Sequence, residues 1–184
     1  MNIITLDVET TASYKPNGAW TPSPFFDNRL VSVGYKHVTD VSVDYLCFYH
    51  TEERETPQGW PQLDKVLSTC DLLIGHNIKF DLMWLRECGW NYTGKIYDTM
   101  IGEYILAGSR RWPLSLAALA EKYEVGSKKK DLVQPYLDDG ITFDKIPYAI
   151  VEEYGKEDVL VTERIALKQA EAFGTTLERM YNDK

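Results

Sequence analysis

The chain has 184 residues, of which 44% are hydrophobic, a size and an apolar fraction that predict one compact domain spanning residues 1–184. A formal charge of −8 argues against a protein whose affinity comes from neutralising many phosphates along a duplex, although bound cations could invert the field at one local site. No apolar stretch approaches the ~20 residues that span a bilayer, and Met1-Asn2-Ile3-Ile4-Thr5 lacks the basic, apolar, small-residue order of a signal peptide, so a cytoplasmic protein with no membrane partner is expected.

In chain order, residues 2–8 read as a buried strand, and residues 29–35 and 41–49, rich in β-branched and aromatic side chains, read as two more in a meander. Between the first two, residues 12–28 hold Pro16, Gly18, Pro22 and Pro24 as breakers and Trp20, Phe25 and Phe26 as bulky apolar groups. They predict a long loop, which either flanks the substrate end of the molecule or packs over the edge of the sheet. The pattern then changes to α/β alternation. A helix opened by Pro61 runs through Ser68, a strand covers 71–75, a helix covers 79–88 and is closed by Gly89, and a short strand at 95–97 leads into a helix over 99–107. Another helix covers 115–123, residues 124–145 read as irregular, and Pro147 begins a long helix to Phe173 that Gly174 breaks, leaving a helical turn or tail. No repeat, low-complexity tract or shift in composition marks a second domain. Cys47, Cys70 and Cys88 are odd in number and lack Cys-x-x-Cys spacing, which predicts buried reduced thiols. The basic clusters Arg110-Arg111 and Lys128-Lys129-Lys130 read as solvated surface.

This layout places five residues. Asp7 and Glu9 are two apart near the end of the first strand and share one face, while Leu6 and Val8 take the other. Asp81 lies one turn into the helix that follows Gly75-His76-Asn77, and Tyr154 and Asp158, four apart, share a face of the long helix. Taken singly, each is an ordinary strand edge, a helix-start acid or a surface Tyr–Asp pair. Carboxylates that converge from distant segments, however, repel and raise one another's pKa values and are tolerated mainly around a cation. An all-oxygen donor set suits the hard ions magnesium or manganese rather than zinc. Asp98, directly before a helix, reads as its amino-terminal cap; His76, His37 and His50 read as structural.

The ordered set Asp7-Val8-Glu9-Thr10, His76-Asn77 with Phe80-Asp81, and Tyr154 with Asp158 resembles the DnaQ-like, or DEDDy, superfamily of 3′→5′ exonucleases. The tyrosine of the third motif is the mark of that branch. Tyr97-Asp98-Thr99-Met100, Glu103-Tyr104-Ile105-Leu106, Leu114-Ser115-Leu116 and Leu119-Ala120 narrow the resemblance to the proofreading domain of family-A DNA polymerases. The resemblance runs over residues 3–167 and implies a ribonuclease H-like fold, an α/β architecture with a mixed central sheet of about five strands flanked by helices.

It also implies a mechanism. Two divalent cations, Mg2+ or Mn2+, would be held by Asp7, Glu9, Asp81 and Asp158, with Asp7 bridging, Glu9 and Asp158 on the ion that binds the attacking water, and Asp81 supporting the second ion. Tyr154, a phenol of pKa near ~10, would orient the water rather than deprotonate it. Thr10 and Asn77 would contact the terminal nucleotide, and nucleoside 5′-monophosphates would leave the 3′ end of single-stranded DNA or a frayed primer terminus, with a separate DNA polymerase as a partner. Two alternatives stand beside this reading: a DEDDy exoribonuclease, and a non-catalytic module that grips a 3′ end or a polymerase.

Overall fold

The computed structural model describes residues 1–14, 20–52, 55–56, 59–108, 110–126 and 130–182. The Lys128-Lys129 part of the basic run lies outside them. β1 (Ile3–Thr10) is followed by a small hairpin, β2 (Ser13–Tyr14) with β3 (Trp20–Thr21), then by β4 (Leu30–His37) and β5 (Asp44–Cys47). α1 (Gly59–Thr69), β6 (Leu72–Gly75), α2 (Lys79–Glu87), β7 (Lys95–Asp98) and α3 (Thr99–Ala107) supply the alternation read from the sequence. The chain ends in α4 (Leu116–Tyr123), α5 (Lys130–Asp138), α6 (Tyr148–Ala172) and α7 (Leu177–Asn182). Five strands form one mixed sheet in the order β5-β4-β1-β6-β7, antiparallel on the β4 and β5 side and parallel on the β6 and β7 side.

Strand alternation sorts β1 into two faces. Ile4, Leu6 and Val8 point into the main core, where Leu63, Val66 and Leu67 of α1 and Trp84 and Leu85 of α2 cover them. The opposite face carries Ile3, Thr5, Asp7 and Glu9, and α6 lies along it. Ala166 and Ala170 of α6 pack on Ile3, Leu72 and Ile74, so the helix runs antiparallel to β1 and brings its first half to the carboxyl end of that strand.

Three features close this helix on the sheet at intervals of four residues. A Cβ on Gly155 would lie 2.5 Å from the Tyr45 hydroxyl oxygen, and a Cβ on Gly34 would lie 3.0 Å from Cγ2 of Val159. One turn further, buried Lys36 donates to both carboxylate oxygens of buried Glu163 at 2.9 Å. Tyr45 cannot easily retreat, because its hydroxyl donates to the Val151 carbonyl at 3.1 Å and shares a 2.7 Å hydrogen bond with Ser32.

Three departures from the sequence reading have physical causes. Residues 12–28 are not a plain loop, because Ser13↔Thr21 and Tyr14↔Trp20 pair within them. Residues 124–145 contain α5, which forms despite Pro135 in its interior. Burial of Val133 and packing of Leu132, Tyr136 and Leu137 against Val151 and Tyr154 outweigh the lost backbone hydrogen bond. The strand expected at 41–49 shortens to β5, since Val41 sits 96% exposed in a bend. Of the two forms expected after Gly174, the helical one is found as α7, with Leu177 buried in the cluster of Ile3, Leu72 and Ala166. Among the described residues no helix is long and apolar enough to cross a membrane.

Replacing a glycine inside a helix with alanine usually gains about 1 kcal/mol. For Gly155→Ala the contact with Tyr45 reverses the sign, because overpacking costs about 1–3 kcal/mol. A melting temperature lower by roughly 2–4 °C per kcal/mol of net loss is expected in calorimetry. A raised melting temperature would show that the Tyr45 ring has room to move.

Candidate metal centre and substrate cleft

The close seating of α6 decides where its acidic face falls. Asp158, one residue before Val159, and Tyr154, one before Gly155, face β1, and oxygen atoms of Asp7, Glu9 and Asp158 all lie within 4.8 Å of one another. Glu9 is 8% and Asp158 2% exposed, while Asp7 is half-buried. The strand pair predicted to present two ligands therefore meets the helix pair predicted to present a third.

Asp81 arrives by a different route. β6 pairs with β1 only from Ile3 to Thr5, so the strands part beyond that point and leave the backbone of β1 without a ladder partner on this side. The Asp81 carboxylate fills the gap, accepting the Val8 N–H at 3.0 Å. The crevice at the carboxyl ends of two parallel strands is where open α/β sheets commonly bind ligands. Burial, and then the Asp7 charge, push the Asp81 carboxyl well above the ordinary carboxylate pKa, against the pull of the Val8 N–H and its own backbone N–H.

The Tyr154 phenol is 6% exposed, and its ring packs on Phe143 with centroids 5.7 Å apart. Burial, then the charges of Glu9, Asp158 and Asp7, with a hydrogen bond to Asp158, push its pKa far above the ordinary value. It stays a neutral hydrogen-bond donor near pH 7, which matches the role read from sequence better than that of a base.

Of the two expected substrate contacts, Thr10 lines a cavity of about 370 Å³ next to Glu9. Asn77 sits in the turn before α2 at φ 56° and does not line that cavity. The Asn77 N–H donates to Asp98 at 2.9 Å, and the same oxygen accepts the Met100 N–H at 2.9 Å, so Asp98 caps α3 as predicted and also fixes the turn that delivers Asp81. His76 shares a 2.9 Å hydrogen bond with Thr99, and His50 one of 2.8 Å with the Ile146 carbonyl, both structural as expected.

Sequence reasoning did not find the walls of the cavity. They come from Trp20 and Pro22 of the hairpin, Phe80 of α2, and Leu137 to Phe143 between α5 and α6. The breakers around Trp20 hid the hairpin, and Pro135 hid α5. Gly155 beside Tyr154, a glycine in the middle of a long helix, was the one signal of close packing at the site.

Three converging carboxylates with only oxygen to offer, a fourth forced upward in pKa, and a phenol held neutral beside them fit a divalent cation. They sit on a mixed five-stranded sheet with helices on both faces, the architecture of the ribonuclease H-like fold. Solved structures agree on that fold. A nuclease in its apo form superposes with a TM-score of 0.64 at 18% identity over 98% of this chain and 78% of its own. NrnC of Brucella melitensis with bound Mg2+ superposes with a TM-score of 0.55 at 18% identity over the same shares.

Residues 26–170 match the 3′-5′ exonuclease family found in family-A DNA polymerases, and the chain belongs to that family. DNA polymerase I of Borreliella burgdorferi is 33% identical over 95 residues, which make up 50% of this chain and 10% of that protein. This chain therefore spans about a tenth of that relative. The matched segment begins after Asp7 and Glu9, so their pairing with Asp158 rests on the geometry described above.

A cation that binds only the folded form stabilises it by mass action. Millimolar Mg2+ or Mn2+ is expected to raise the melting temperature of the wild type and leave Asp7→Ala unchanged. Asp81→Asn keeps an acceptor for the Val8 N–H and removes a repelled, desolvated charge, so its metal-free form should melt a few degrees above the wild type. A lower melting temperature for the metal-free variant would contradict this account of Asp81.

Proposed function

We propose that residues 1–184 form a single exonuclease domain that removes nucleoside 5′-monophosphates from DNA 3′ ends with the help of two divalent cations, Mg2+ or Mn2+. The observation that carries this is the convergence of Asp7, Glu9 and Asp158 beside Asp81 and Tyr154 in the crevice where β1 parts from β6. The kinship with a DNA polymerase favours DNA over RNA.

Asp7, Glu9, Asp81 and Asp158 would hold the cations, which supply charge neutralisation for the scissile phosphodiester and lower the pKa of water. Without them the cluster repels a phosphate. Tyr154 donates a hydrogen bond that orients the attacking water, and its raised pKa keeps the proton in place. Thr10 and the apolar cavity beside Glu9 receive the terminal nucleoside, whereas Asn77 lies outside that cavity in the turn that Asp98 fixes. A frayed primer terminus or single-stranded 3′ end, handed over by a separate DNA polymerase, is the partner this reading implies.

The test is a time course on 5′-labelled single-stranded DNA, mismatched primer-template and single-stranded RNA, with metal or chelator. A metal-dependent ladder on DNA that shortens by single nucleotides is expected. Asp7→Ala should lose roughly a thousandfold or more in rate, and Tyr154→Phe roughly ten- to a hundredfold. Faster loss of RNA would reassign the substrate, and equal collapse of both folded variants would contradict the role given to Tyr154. No cleavage of any substrate, with or without a DNA polymerase, would overturn the reading.

A further inference from the structure

The cavity beside Glu9 differs in chemistry from the metal centre it adjoins. Its apolar lining includes Val8, Trp20, Pro22, Phe80, Ile141 and Phe143, and the polar residues on it are Glu9, Thr10 and Thr142. Among the described residues no lysine or arginine lines it, and a volume of about 370 Å³ with mostly apolar walls falls in the range of small-molecule sites and suits a flat, neutral ring.

One wall is built separately from the rest. Trp20 lies on the β2–β3 hairpin, is 42% exposed, and faces Gly140 closely enough that a Cβ there would lie 3.8 Å from Trp20 Cζ2. The same residue also lines a neighbouring, more polar cavity of about 320 Å³ that contains Arg29 and Lys145, so it forms the partition between an apolar and a charged recess. The base of the hairpin is fixed by hydrogen bonds to the body of the domain and within the segment that follows it. Trp84 Nε1 donates to the Pro22 carbonyl at 2.9 Å, Asn28 Nδ2 donates to the Thr21 and Ser23 carbonyls at 2.9 and 2.7 Å, and Ser13 donates to the Phe26 carbonyl at 2.8 Å.

We propose that Trp20 is a specificity-determining residue, stacking on the terminal nucleobase of the substrate and making that base, whatever its identity, a requirement for tight binding. The inference rests on the exonuclease reading for its substrate and extends it by assigning the hairpin a task. With only three polar residues among its described lining, the cavity recognises the face of a ring more than its hydrogen-bonding edge, so preference among the four bases follows stacking area.

The experiment compares the wild type, Trp20→Ala and Trp20→Phe on two oligonucleotides that differ only in whether the 3′-terminal sugar carries a base. Stacking of a base on an aromatic side chain corresponds to roughly tenfold or more in affinity. Trp20→Ala is expected to raise KM about tenfold on the base-bearing end with little change in kcat, to match the wild type within about twofold on the abasic end, and to be largely rescued in Trp20→Phe. A variant equal to the wild type on the base-bearing end, or one equally impaired on both ends, would overturn the assignment while leaving the nuclease intact. Should the wild type cleave neither substrate, calorimetric titration with a nucleoside 5′-monophosphate and with deoxyribose 5-phosphate decides the matter separately. Weaker binding of the nucleotide alone in Trp20→Ala upholds the assignment, and no difference between the proteins refutes it.

Discussion

The seating of α6 on β4 and β5 is the contact on which the rest of the site depends. Gly155 admits the Tyr45 ring, Gly34 admits Val159, and Lys36 pairs with Glu163, so one face of the helix is fixed by three different kinds of contact at a spacing of four residues. Each works in its own way. The two glycines remove side-chain volume and let helix and sheet approach, whereas the buried ion pair fixes register, since a displaced helix would leave one charge buried alone. Burial holds the Glu163 carboxyl above its ordinary pKa even with Lys36 beside it, so the pair is better read as a locator than as a source of stability. The face next to this one carries Tyr154 and Asp158, and their approach to Asp7 and Glu9 follows from contacts that take no part in the chemistry.

The sheet makes the complementary contribution. A strand fully paired on both sides would offer Asp7 and Glu9 but would have no room for Asp81. Separation of β6 from β1 beyond Thr5 opens the ladder, and the freed Val8 N–H both draws in Asp81 and partly offsets the cost of burying it. The remainder of that cost is visible as the raised pKa of Asp81, which burial and Asp7 impose together. Such a cluster is poorly satisfied by the protein alone and well satisfied by divalent cations, and the same field that favours them keeps the proton on Tyr154.

Much of this was legible in the sequence, and for identifiable reasons. The strands at residues 2–8 and 29–35 and the helices begun near Pro61 and Pro147 have clear periodicity and clear punctuation, and they formed within a residue or two of the expected ends. The pairing of Asp7 with Glu9 follows from strand alternation, that of Tyr154 with Asp158 from the helical turn, and the cap at Asp98 from its place before a helix. What was not legible depended on contacts between distant segments. Pro135 argues locally against the helix that Val133 and Tyr136 stabilise by packing on α6, and four breakers within residues 12–28 mask a hairpin whose anchor, Trp84, lies in another element. The second task of Asp98, holding the Asn77 N–H, has no local signature.

The same distinction explains how the cleft divides its work. The acidic cluster and Tyr154 sit on β1, α2 and α6, elements whose positions are fixed by core packing and by the Lys36–Glu163 pair, and a cluster that brings oxygens within a few ångström of one another requires that rigidity. The apolar recess shares Val8, Glu9 and Thr10 of β1 and Phe80 of α2 with that rigid frame, and its outer walls come from the hairpin and from the segment between α5 and α6, where loops tolerate change with little effect on the sheet. Trp20 and Gly140 meet across the recess from these two variable segments, whereas Glu9, at the inner end, belongs to the fixed set. A change in the hairpin can therefore alter the outer walls of the recess while leaving the acidic cluster where it is, so the two halves of the cleft are shaped by separate parts of the chain.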